Sequence, residues 1–326
     1  MASTKKRKAQ VPADGEPGSP LTAYTSSSFN CLADGFNMAG KVALVTGGRG
    51  WLGTAICEAL AEAGCSVIVA SRELDKAQDA AKRLPRLPAA SAPAQRHAGV
   101  QLDHLDEDAA RRGFQAAVDA GRGRVDVVIN NGLSGINARS NAAQEARKQD
   151  IAGTEYEDFA DLQRNNAGYF LLARLLRDHV VGRRAGAATA ATGGSATKAA
   201  DAEAKGAVVM IGSMYGQVAS YPDAYEGLPY ASPVAYHCTK GGTVHLTRHL
   251  AAYWAKDGVR VNCLSPGPFP GPGAPRELVK RLCTKLPMGR MGLPHELKGP
   301  LLLLASDAGS YITGQNLTVD GGWTCW

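Results

Sequence analysis

Short runs of Val, Ile, Leu and Ala alternate along the chain with longer stretches in which apolar residues recur at helical spacing. Continuous apolar runs of about four to eight residues are typical of strands that are buried on both faces of a parallel sheet. The longer periodic stretches instead predict helices. We therefore predict strands at 42–46, 67–70, 125–130, 207–211, 259–264 and 317–319, and a weaker strand at 99–102.

The helical stretches fall between these strands. The pattern predicts helices at 52–63, 109–120, 156–180, 233–256 and 295–305. This alternation indicates an α/β fold, a doubly wound parallel sheet of the Rossmann type with helices on both faces. We expect a single domain over residues 39–326.

Three segments do not follow the alternation. Residues 133–154 are polar and rich in Asn and Ala, and residues 182–206 are of low complexity. We interpret both as surface insertions in the single domain. Residues 1–38 are rich in Ser, Pro, Gly, Thr and charge, with few aliphatic side chains, and we expect them to form a disordered tail.

Composition narrows the class of protein. The chain has 326 residues, of which 44% are hydrophobic, so it can bury a substantial core. No apolar run approaches the roughly 20 residues of a membrane span, and the N-terminus lacks the apolar core of a secretion signal. The seven cysteines are scattered and form no Cys-x-x-Cys pair, so neither a disulfide framework nor a metal site is indicated. We expect a cytoplasmic protein that binds no membrane and no metal.

The net charge of +6 is mild, and the densest basic run, Lys5 to Lys8, lies in the predicted tail. A nucleic-acid-binding protein needs a folded basic face or a module that reads bases, and the sequence indicates neither. We therefore expect a small-molecule substrate and no nucleic-acid partner. The basic run is interpreted as a solvated arm, and a nuclear or organellar address is the alternative.

A glycine-rich turn joins the first predicted strand to the first predicted helix. The sequence T-G-G-R-G-W-L-G runs from Thr46 to Gly53. Between a strand and a helix, Gly47 permits a tight turn, Gly50 lets a pyrophosphate approach the backbone, and Gly53 lets the helix pack closely on the strand. The pattern predicts a dinucleotide site that includes Gly47, Arg49, Gly50, Trp51 and Leu52.

The end of the second predicted strand bears on the choice of dinucleotide. A carboxylate there would hydrogen-bond a ribose diol and suit NAD, but the chain has Ser71 and Arg72. A hydroxyl and a guanidinium suit the 2′-phosphate of NADP(H), and Arg49 would add a second positive charge. We expect NADP as the cofactor. NAD remains possible because Glu73 and Asp75 follow closely.

Tyr236 and Lys240 stand four residues apart at the start of a predicted helix, for which Ser232 would be the N-cap and Pro233 the first helical residue. This spacing places both side chains on one helix face. An ammonium beside a phenol favours the phenolate and lowers a pKa that is normally about 10. Reaching about 7 would require partial desolvation and a second positive charge such as an oxidised nicotinamide. The pair can therefore transfer protons.

Further motifs occur in the order of the predicted strands. Counting the weaker strand at 99–102, they are Asn130-Asn131-Gly132 at the end of the fourth strand, Ser213 just past the fifth, Ser265-Pro266-Gly267-Pro268, Thr313-Gly314-Gln315, and V-D-G-G-W from Val319 to Trp323. With the glycine turn and the Tyr-x-x-x-Lys pair, they resemble the short-chain dehydrogenase/reductase family over residues 39–326. Within that family the chain looks similar to sugar-acid and polyol dehydrogenases and to bacterial surface-glycan oxidoreductases.

The resemblance implies a role for each catalytic residue. Tyr236 would be the general acid/base, Lys240 would lower its pKa and hold the nicotinamide ribose, and Ser213 would hydrogen-bond the substrate oxygen. Asn165 looks like the family's helix asparagine that holds a relay water, with Asn166 as the fallback.

The resemblance also extends the cofactor site. Asp103 looks like the acidic residue that touches the adenine, and Asn130 and Gly132 look like the turn that supports the cofactor. Pro266 and Gly267 belong to the same site. A homodimer or homotetramer, packed through the helices at 156–180 and 233–256, is implied as well.

The chain departs from the family pattern in two places. The commonest glycine spacing would put glycine at Trp51, which either shields the pyrophosphate or packs against the tail. The interval from Ser213 to Tyr236 is longer than usual, and its aromatic side chains suit either a polyhydroxylated ligand or packing within the loop. The tyrosines of this interval are Tyr215, Tyr221, Tyr225 and Tyr230.

The function implied is an NADP(H)-dependent oxidoreductase that interconverts a secondary alcohol and a ketone on a sugar-derived or polyol substrate. Two alternatives stay open. The glycine spacing suggests a nucleotide-sugar epimerase or dehydratase, which would retain its cofactor. A non-catalytic NADP(H)-sensing regulator is the other, although a sensor has no need of the intact Ser/Tyr/Lys set.

Replacing Arg72 with Asp should shift the cofactor preference toward NAD, because a carboxylate repels the 2′-phosphate and accepts hydrogen bonds from a ribose diol. The measurement is the Michaelis constant for each cofactor. Unchanged values for both would contradict the assignment of Arg72.

Overall fold

Parallel strands and the helices between them form one doubly wound sheet, as the sequence predicts. The structure, a computed structural model, describes residues 30–88, 94–134, 151, 153–189, 201–228 and 231–325. Within this part of the chain the strands are β1 Val42–Thr46, β2 Ser66–Ser71, β3 Ala98–Gln101, β4 Val127–Asn130, β5 Gly206–Ile211, β6 Val259–Pro266 and β7 Asn316–Val319. The α-helices are α1 Trp51–Glu62, α2 Leu74–Lys82, α3 Glu107–Ala120, α4 Tyr156–Thr189, α5 Val234–Trp254, α6 Arg276–Cys283 and α7 Lys298–Ala305.

The strand order is β3-β2-β1-β4-β5-β6-β7, and every neighbouring pair is parallel. The order reverses direction between β1 and β4, where Val45 pairs with Ile129. In open α/β sheets such a reversal leaves a crevice outside the carboxyl ends of the strands, and ligands bind there. The topology therefore places a ligand site beyond Thr46 and Asn130.

Both faces of the sheet are buried. On one face α3, α4 and α5 contribute side chains such as Phe114, Leu172 and Leu250 to a continuous core. On the other face α1 and α7 contribute Leu60 and Leu301, among others. Burial on two sides explains why the strands are continuous apolar runs rather than alternating ones.

Several element boundaries differ from the prediction. Helix α4 continues past residue 180 to Thr189, so the first residues of the expected insertion at 182–206 are helical. The helix expected at 295–305 divides into a 3₁₀ turn at Pro294–Leu297 and α7. Helices α2 and α6 were not predicted because they are short and largely polar. Residues 190–200 of the one expected insertion, and 135–150 and 152 of the other, lie outside the described residues.

The expected tail is shorter than 38 residues. Cys31–Gly35 form a helical turn, and the Asn30 side chain caps it by accepting hydrogen bonds from the backbone N–H groups of Leu32 and Ala33, both at 3.0 Å. Met38 is 1% exposed. The expectation was wrong for residues 30–38 because one capping side chain and one buried methionine order a segment of polar composition. Residues 1–29 lie outside the described part.

None of the helices in the described part of the chain combines the length and the apolar character that crossing a membrane requires.

A buried carboxylate ties the amino ends of β1 and β4 to α4. Asp126 is 3% exposed and accepts hydrogen bonds from the backbone N–H of Val42 at 2.8 Å and from Arg183 Nη1 at 3.0 Å. Arg124 Nε donates to the same carboxylate at 2.7 Å. Arg183 also pairs with Asp201 at 2.6 Å, just before β5. One buried cluster therefore connects four elements.

Replacing Asp126 with Ala should lower the free energy of unfolding by about 3 kcal/mol, because it removes one of the two carboxylates that pair with the buried Arg183 and leaves the Val42 N–H without its acceptor. Urea unfolding measures the change. Asp79→Ala, which removes the exposed ion pair with Lys82, is the control and should leave the midpoint nearly unchanged. Equal losses in the two variants would contradict the role of Asp126.

Candidate active site

A cavity of about 900 Å³ lies beyond the carboxyl ends of the strands, where the sheet order reverses. Its walls come from the glycine turn, the ends of β2, β4, β5 and β6, and the first turns of α5. Most of the residues predicted from the sequence line it, namely Gly47, Arg49, Gly50, Trp51, Leu52, Ser71, Arg72, Gly132, Ser213, Tyr236, Lys240, Pro266 and Gly267. Asp103, Asn130 and Asn165 do not.

A second cavity, of about 770 Å³, lies at the opposite ends of the strands and is lined by residues such as Lys41 and Arg260. None of the predicted site residues lines it. The chemistry indicated by the sequence therefore belongs to the first cavity.

The glycine turn has the geometry of a phosphate cradle. Gly47 has a φ of +63°, and a Cβ there would lie 2.7 Å from the Gly132 Cα. A Cβ on Gly53 would lie 2.1 Å from the Gly47 carbonyl oxygen. Gly50 is the N-cap of α1, and no side chain in the described residues caps this helix. The first N–H groups of α1 therefore remain for an anion, which the helix dipole also favours.

Thr46 and Asn131 hold this turn against the end of β4. The Thr46 hydroxyl accepts hydrogen bonds from the backbone N–H groups of Asn131 at 3.0 Å and Gly132 at 2.9 Å. Asn131 Nδ2 donates to the carbonyl oxygens of Thr46 at 3.1 Å and Gly47 at 3.0 Å. Sequence reasoning missed both residues, although Asn131 stands beside the predicted Asn130.

Asn130 does not line the cavity, so its expected part in supporting the cofactor turn would be indirect. It is fully buried, and its Nδ2 donates to the Tyr169 carbonyl oxygen at 3.0 Å. Successive side chains along a strand point to opposite faces, so the last residue of β4 faces α4 and the next residue faces the glycine turn.

Positive side chains gather at the end of β2. Ser71, Arg72 and Arg49 all line the cavity. The nearby Glu73 carboxylate lies 3.8 Å from Arg49 Nη2 and also pairs with Lys76. Glu73 is thus engaged by cations and does not line the cavity, which leaves a hydroxyl and two guanidinium groups facing the space.

Asp103 likewise does not line the cavity, but its neighbours Leu102 and His104 do. The Asp103 carboxylate accepts a hydrogen bond from the Leu105 N–H at 3.0 Å, which holds it in the local turn. His104 was not predicted. Its Nε2 lies 2.9 Å from Asn165 Oδ1, its ring stacks on Tyr169, and burial lowers its pKa, so the imidazole is neutral at neutral pH.

Asn165 lies directly beneath the cavity. Its Oδ1 accepts a hydrogen bond from the Ser134 N–H at 3.0 Å, and its Nδ2 donates to the Ser134 carbonyl oxygen at 2.8 Å. Through Ser134 and His104, which line the cavity, it positions the wall rather than touching the space. The fallback, Asn166, faces α5 instead and donates to the Thr239 carbonyl oxygen at 2.9 Å.

Helix α5 begins one residue later than predicted. Pro233 is its N-cap, with an extended backbone, and Ser232 is not. The Ser232 hydroxyl instead lies 2.7 Å from His237 Nε2. The spacing of Tyr236 and Lys240 within the helix is unaffected, so both side chains reach the cavity as expected.

Lys240 is held firmly below Tyr236. Its Nζ donates to the Ile211 carbonyl oxygen at 2.6 Å and lies 5.7 Å from the centroid of the Tyr236 ring. The side chain is 3% exposed, and this burial lowers the pKa of Lys240 to about 8. The ammonium therefore remains mostly charged at neutral pH.

The structure does not reproduce the expected lowering of the Tyr236 pKa. Burial raises this pKa, and the hydrogen bond with the Ser213 hydroxyl opposes the rise without overcoming it. The burial that Tyr236 shares with Lys240 also disfavours the phenolate. At neutral pH the Tyr236 hydroxyl is therefore protonated and within reach of Ser213.

The tyrosines between Ser213 and Tyr236 pack with one another. Tyr221 and Trp323 meet edge to face with ring centroids 5.1 Å apart, and the Tyr215 and Tyr225 hydroxyl oxygens lie 3.2 Å apart. None of these three tyrosines lines the cavity. The structure favours the packing interpretation of this loop; Tyr230 lies outside the described residues.

Comparison with known proteins identifies the family. A family model described as short chain dehydrogenase matches residues 41–196, and one described as Enoyl-(Acyl carrier protein) reductase matches residues 195–324. A galactitol 2-dehydrogenase of Rhizobium johnstonii is 32% identical, and the match covers 89% of this chain and 98% of that protein. The chain belongs to the short-chain dehydrogenase/reductase family.

Other members of the family are similar over the same length. A gluconate 5-dehydrogenase of Gluconobacter oxydans is 30% identical, with 89% of this chain and 97% of that protein covered. The crystal structure of a gluconate 5-dehydrogenase from Burkholderia cenocepacia in complex with NADP and tartrate is 26% identical, with a TM-score of 0.69 and coverage of 91% and 100%. The resemblance inferred from the motifs is confirmed.

Gly47→Ala should weaken NADPH binding by at least about tenfold, because the added methyl group pushes the glycine turn away from Gly132 and misplaces the phosphate-binding N–H groups. Fluorescence titration with NADPH measures the effect. Gly123→Ala is a matched control, since Gly123 also has a positive φ, +82°, but nothing lies within 4 Å of its added Cβ. Equal NADPH affinities in the two variants would contradict the assignment of the glycine turn as a phosphate-binding site.

Proposed function

We propose that this chain is an NADP(H)-dependent oxidoreductase that interconverts a secondary alcohol and a ketone on a polyol or sugar-derived substrate. The observation that carries the proposal is the convergence of Ser213, Tyr236 and Lys240 on the cavity that also contains the glycine turn. A cofactor cradle and a proton-transfer group in one space are what hydride transfer to a carbonyl requires.

The proton chemistry is assigned to Tyr236. In ketone reduction its phenol donates a proton to the substrate oxygen, and the raised pKa keeps the phenol in this form at neutral pH. The Ser213 hydroxyl hydrogen-bonds the same oxygen and orients it. In alcohol oxidation Tyr236 accepts the proton, and the ammonium of Lys240 stabilises the phenolate that the step requires. The nicotinamide, when bound, supplies or accepts the hydride.

The glycine turn, the start of α1 and the end of β2 together fit NADP. The uncapped amino end of α1 suits the pyrophosphate, and Ser71, Arg49 and Arg72 suit a 2′-phosphate. The Glu73 carboxylate, which would otherwise favour a ribose diol, pairs with Arg49 and Lys76. The complex of the Burkholderia cenocepacia relative with NADP supports the same choice.

The substrate class rests on the relatives. Relatives that this chain matches along nearly their whole length are named as dehydrogenases of galactitol, D-arabinitol and gluconate. Each of these compounds is a chain of carbons that carry hydroxyls. The epimerase or dehydratase and the regulator gain no comparable support, because the chain matches these dehydrogenases along nearly their whole length. Copurification of a tightly bound dinucleotide would favour the epimerase.

We also propose a cytoplasmic homodimer or homotetramer. Helices α4 and α5 pack against each other and present the exposed rings of Phe170 and Tyr253. Exposed aromatic side chains on adjacent helices are typical of subunit contacts. Light scattering of the purified protein that shows only monomer would remove this proposal.

Tyr236→Phe should reduce turnover by about a thousandfold and leave the NADPH affinity nearly unchanged, because the variant keeps the ring but loses the transferred proton. Steady-state oxidation of NADPH with a panel of ketones and ketoses measures turnover, and fluorescence titration measures affinity. The control is Tyr311→Phe, a fully exposed tyrosine that does not line the cofactor cavity, which should keep full activity. Retained turnover in Tyr236→Phe would refute the assigned role.

A further inference from the structure

Trp323 carries a buried hydrogen-bond donor that lacks an acceptor. Its side chain is 1% exposed, and its Nε1 has no hydrogen-bond partner in the described part of the chain. Buried indole N–H groups normally find a partner, and leaving one unpaired is unfavourable. An orphaned donor of this kind calls for an explanation, and a ligand that supplies the acceptor is one.

The turn that holds Trp323 is rigid. The Asp320 carboxylate accepts hydrogen bonds from the backbone N–H of Gly322 at 3.0 Å, from that of Thr324 at 2.9 Å and from the Thr324 hydroxyl at 2.8 Å. A Cβ on Gly322 would lie 2.6 Å from the Pro287 ring, so this turn also packs closely on the segment that follows α6. The position of the indole is therefore fixed by the backbone.

The indole lies in the aromatic cluster beside the proton-transfer residue. Its ring meets Tyr215 and Tyr221 edge to face, with centroids 6.1 and 5.1 Å away. Tyr215 follows Ser213 by two residues, and Tyr236 packs against the same cluster. Trp323 does not line the cofactor cavity. The donor thus adjoins the reacting centre without belonging to the cofactor site.

Helix α6 and the residues after it pack against this cluster. Leu282 of α6 and Leu286 just after it are buried in the cluster. The polar contacts nearby are exposed: Lys285 Nζ lies 2.5 Å from Asp223 Oδ2, and Arg281 Nη1 lies 2.5 Å from the Glu226 carbonyl oxygen. Contacts of this type contribute little stability, so the burial of the two leucines is the main interaction that a substrate must displace to reach the indole.

We propose that Trp323 Nε1–H donates a hydrogen bond to a substrate hydroxyl other than the one that is oxidised, which makes Trp323 a specificity-determining residue for polyhydroxylated substrates. The indole would select an oxygen along such a chain. An alcohol without the second hydroxyl leaves the donor unpaired. The inference rests on the proposed function.

The test is Trp323→Phe, which keeps an aromatic ring and removes only the donor and part of the ring. The probes are galactitol and its monodeoxy analogues, oxidised with NADP by the purified enzyme. A single neutral hydrogen bond is worth about a factor of ten in affinity, so the KM for galactitol should rise about tenfold, with kcat and the NADP affinity unchanged. Trp254→Phe on α5 is the matched control and should leave the KM unchanged.

The analogues identify the partner hydroxyl. In the natural enzyme one monodeoxy analogue should show a KM about tenfold higher than galactitol, and in Trp323→Phe this difference should vanish. A rise in KM that is the same for every analogue would assign Trp323 a packing role and overturn the proposal, as would an unchanged KM. If the variant does not fold, a natural enzyme that is indifferent to every deoxy position overturns it equally.

If the proposed substrate class is wrong, the same measurements give a different result. If the natural enzyme reduces simple ketones with loss of activity in Tyr236→Phe, yet oxidises no polyol, the polyol assignment is wrong and this inference is wrong with it. The oxidoreductase chemistry would then remain.

Discussion

The approach of the glycine turn to the end of β4 is the contact on which the site depends. The Gly47 carbonyl oxygen and the Gly132 Cα leave no room for a side chain at Gly53 or Gly47, and Thr46 and Asn131 fix the approach with four hydrogen bonds. Because β1 and β4 are the strands at which the sheet order reverses, this one contact sets the width of the crevice.

Burial acts in two directions on the residues that would transfer the proton. It lowers the pKa of Lys240 to about 8 and raises that of Tyr236, so each side chain is pushed toward its neutral form. Reduction of a ketone uses a neutral phenol, which burial favours. Oxidation uses the phenolate, which burial opposes, and the ammonium of Lys240 together with the positive charge of an oxidised nicotinamide would offset that cost.

The sequence predicts the fold well because the strands are buried on both faces, so their apolar runs are continuous and unmistakable. It predicts the site less well where a shift of one residue along a strand decides which side chain faces the glycine turn. Asn130 and Asn131 are chemically identical, and only the pleat of β4 shows which one faces the glycine turn. His104 was missed because its neighbour Asp103 has the more familiar chemistry, whereas a turn hydrogen bond holds that carboxylate away from the cavity. Helices α2 and α6 were missed because they are short, largely polar and bury few side chains.

The pairing of β1 with β4 has a consequence for synthesis. The backbone N–H of Val42 bonds a carboxylate 84 residues further along the chain. During translation the first three strands leave the ribosome well before their central neighbour exists, with one hydrophobic edge uncovered. The pocket for the dinucleotide closes only when β4 docks. Until then the edge of β1 that β4 will cover is open to pairing with other strands.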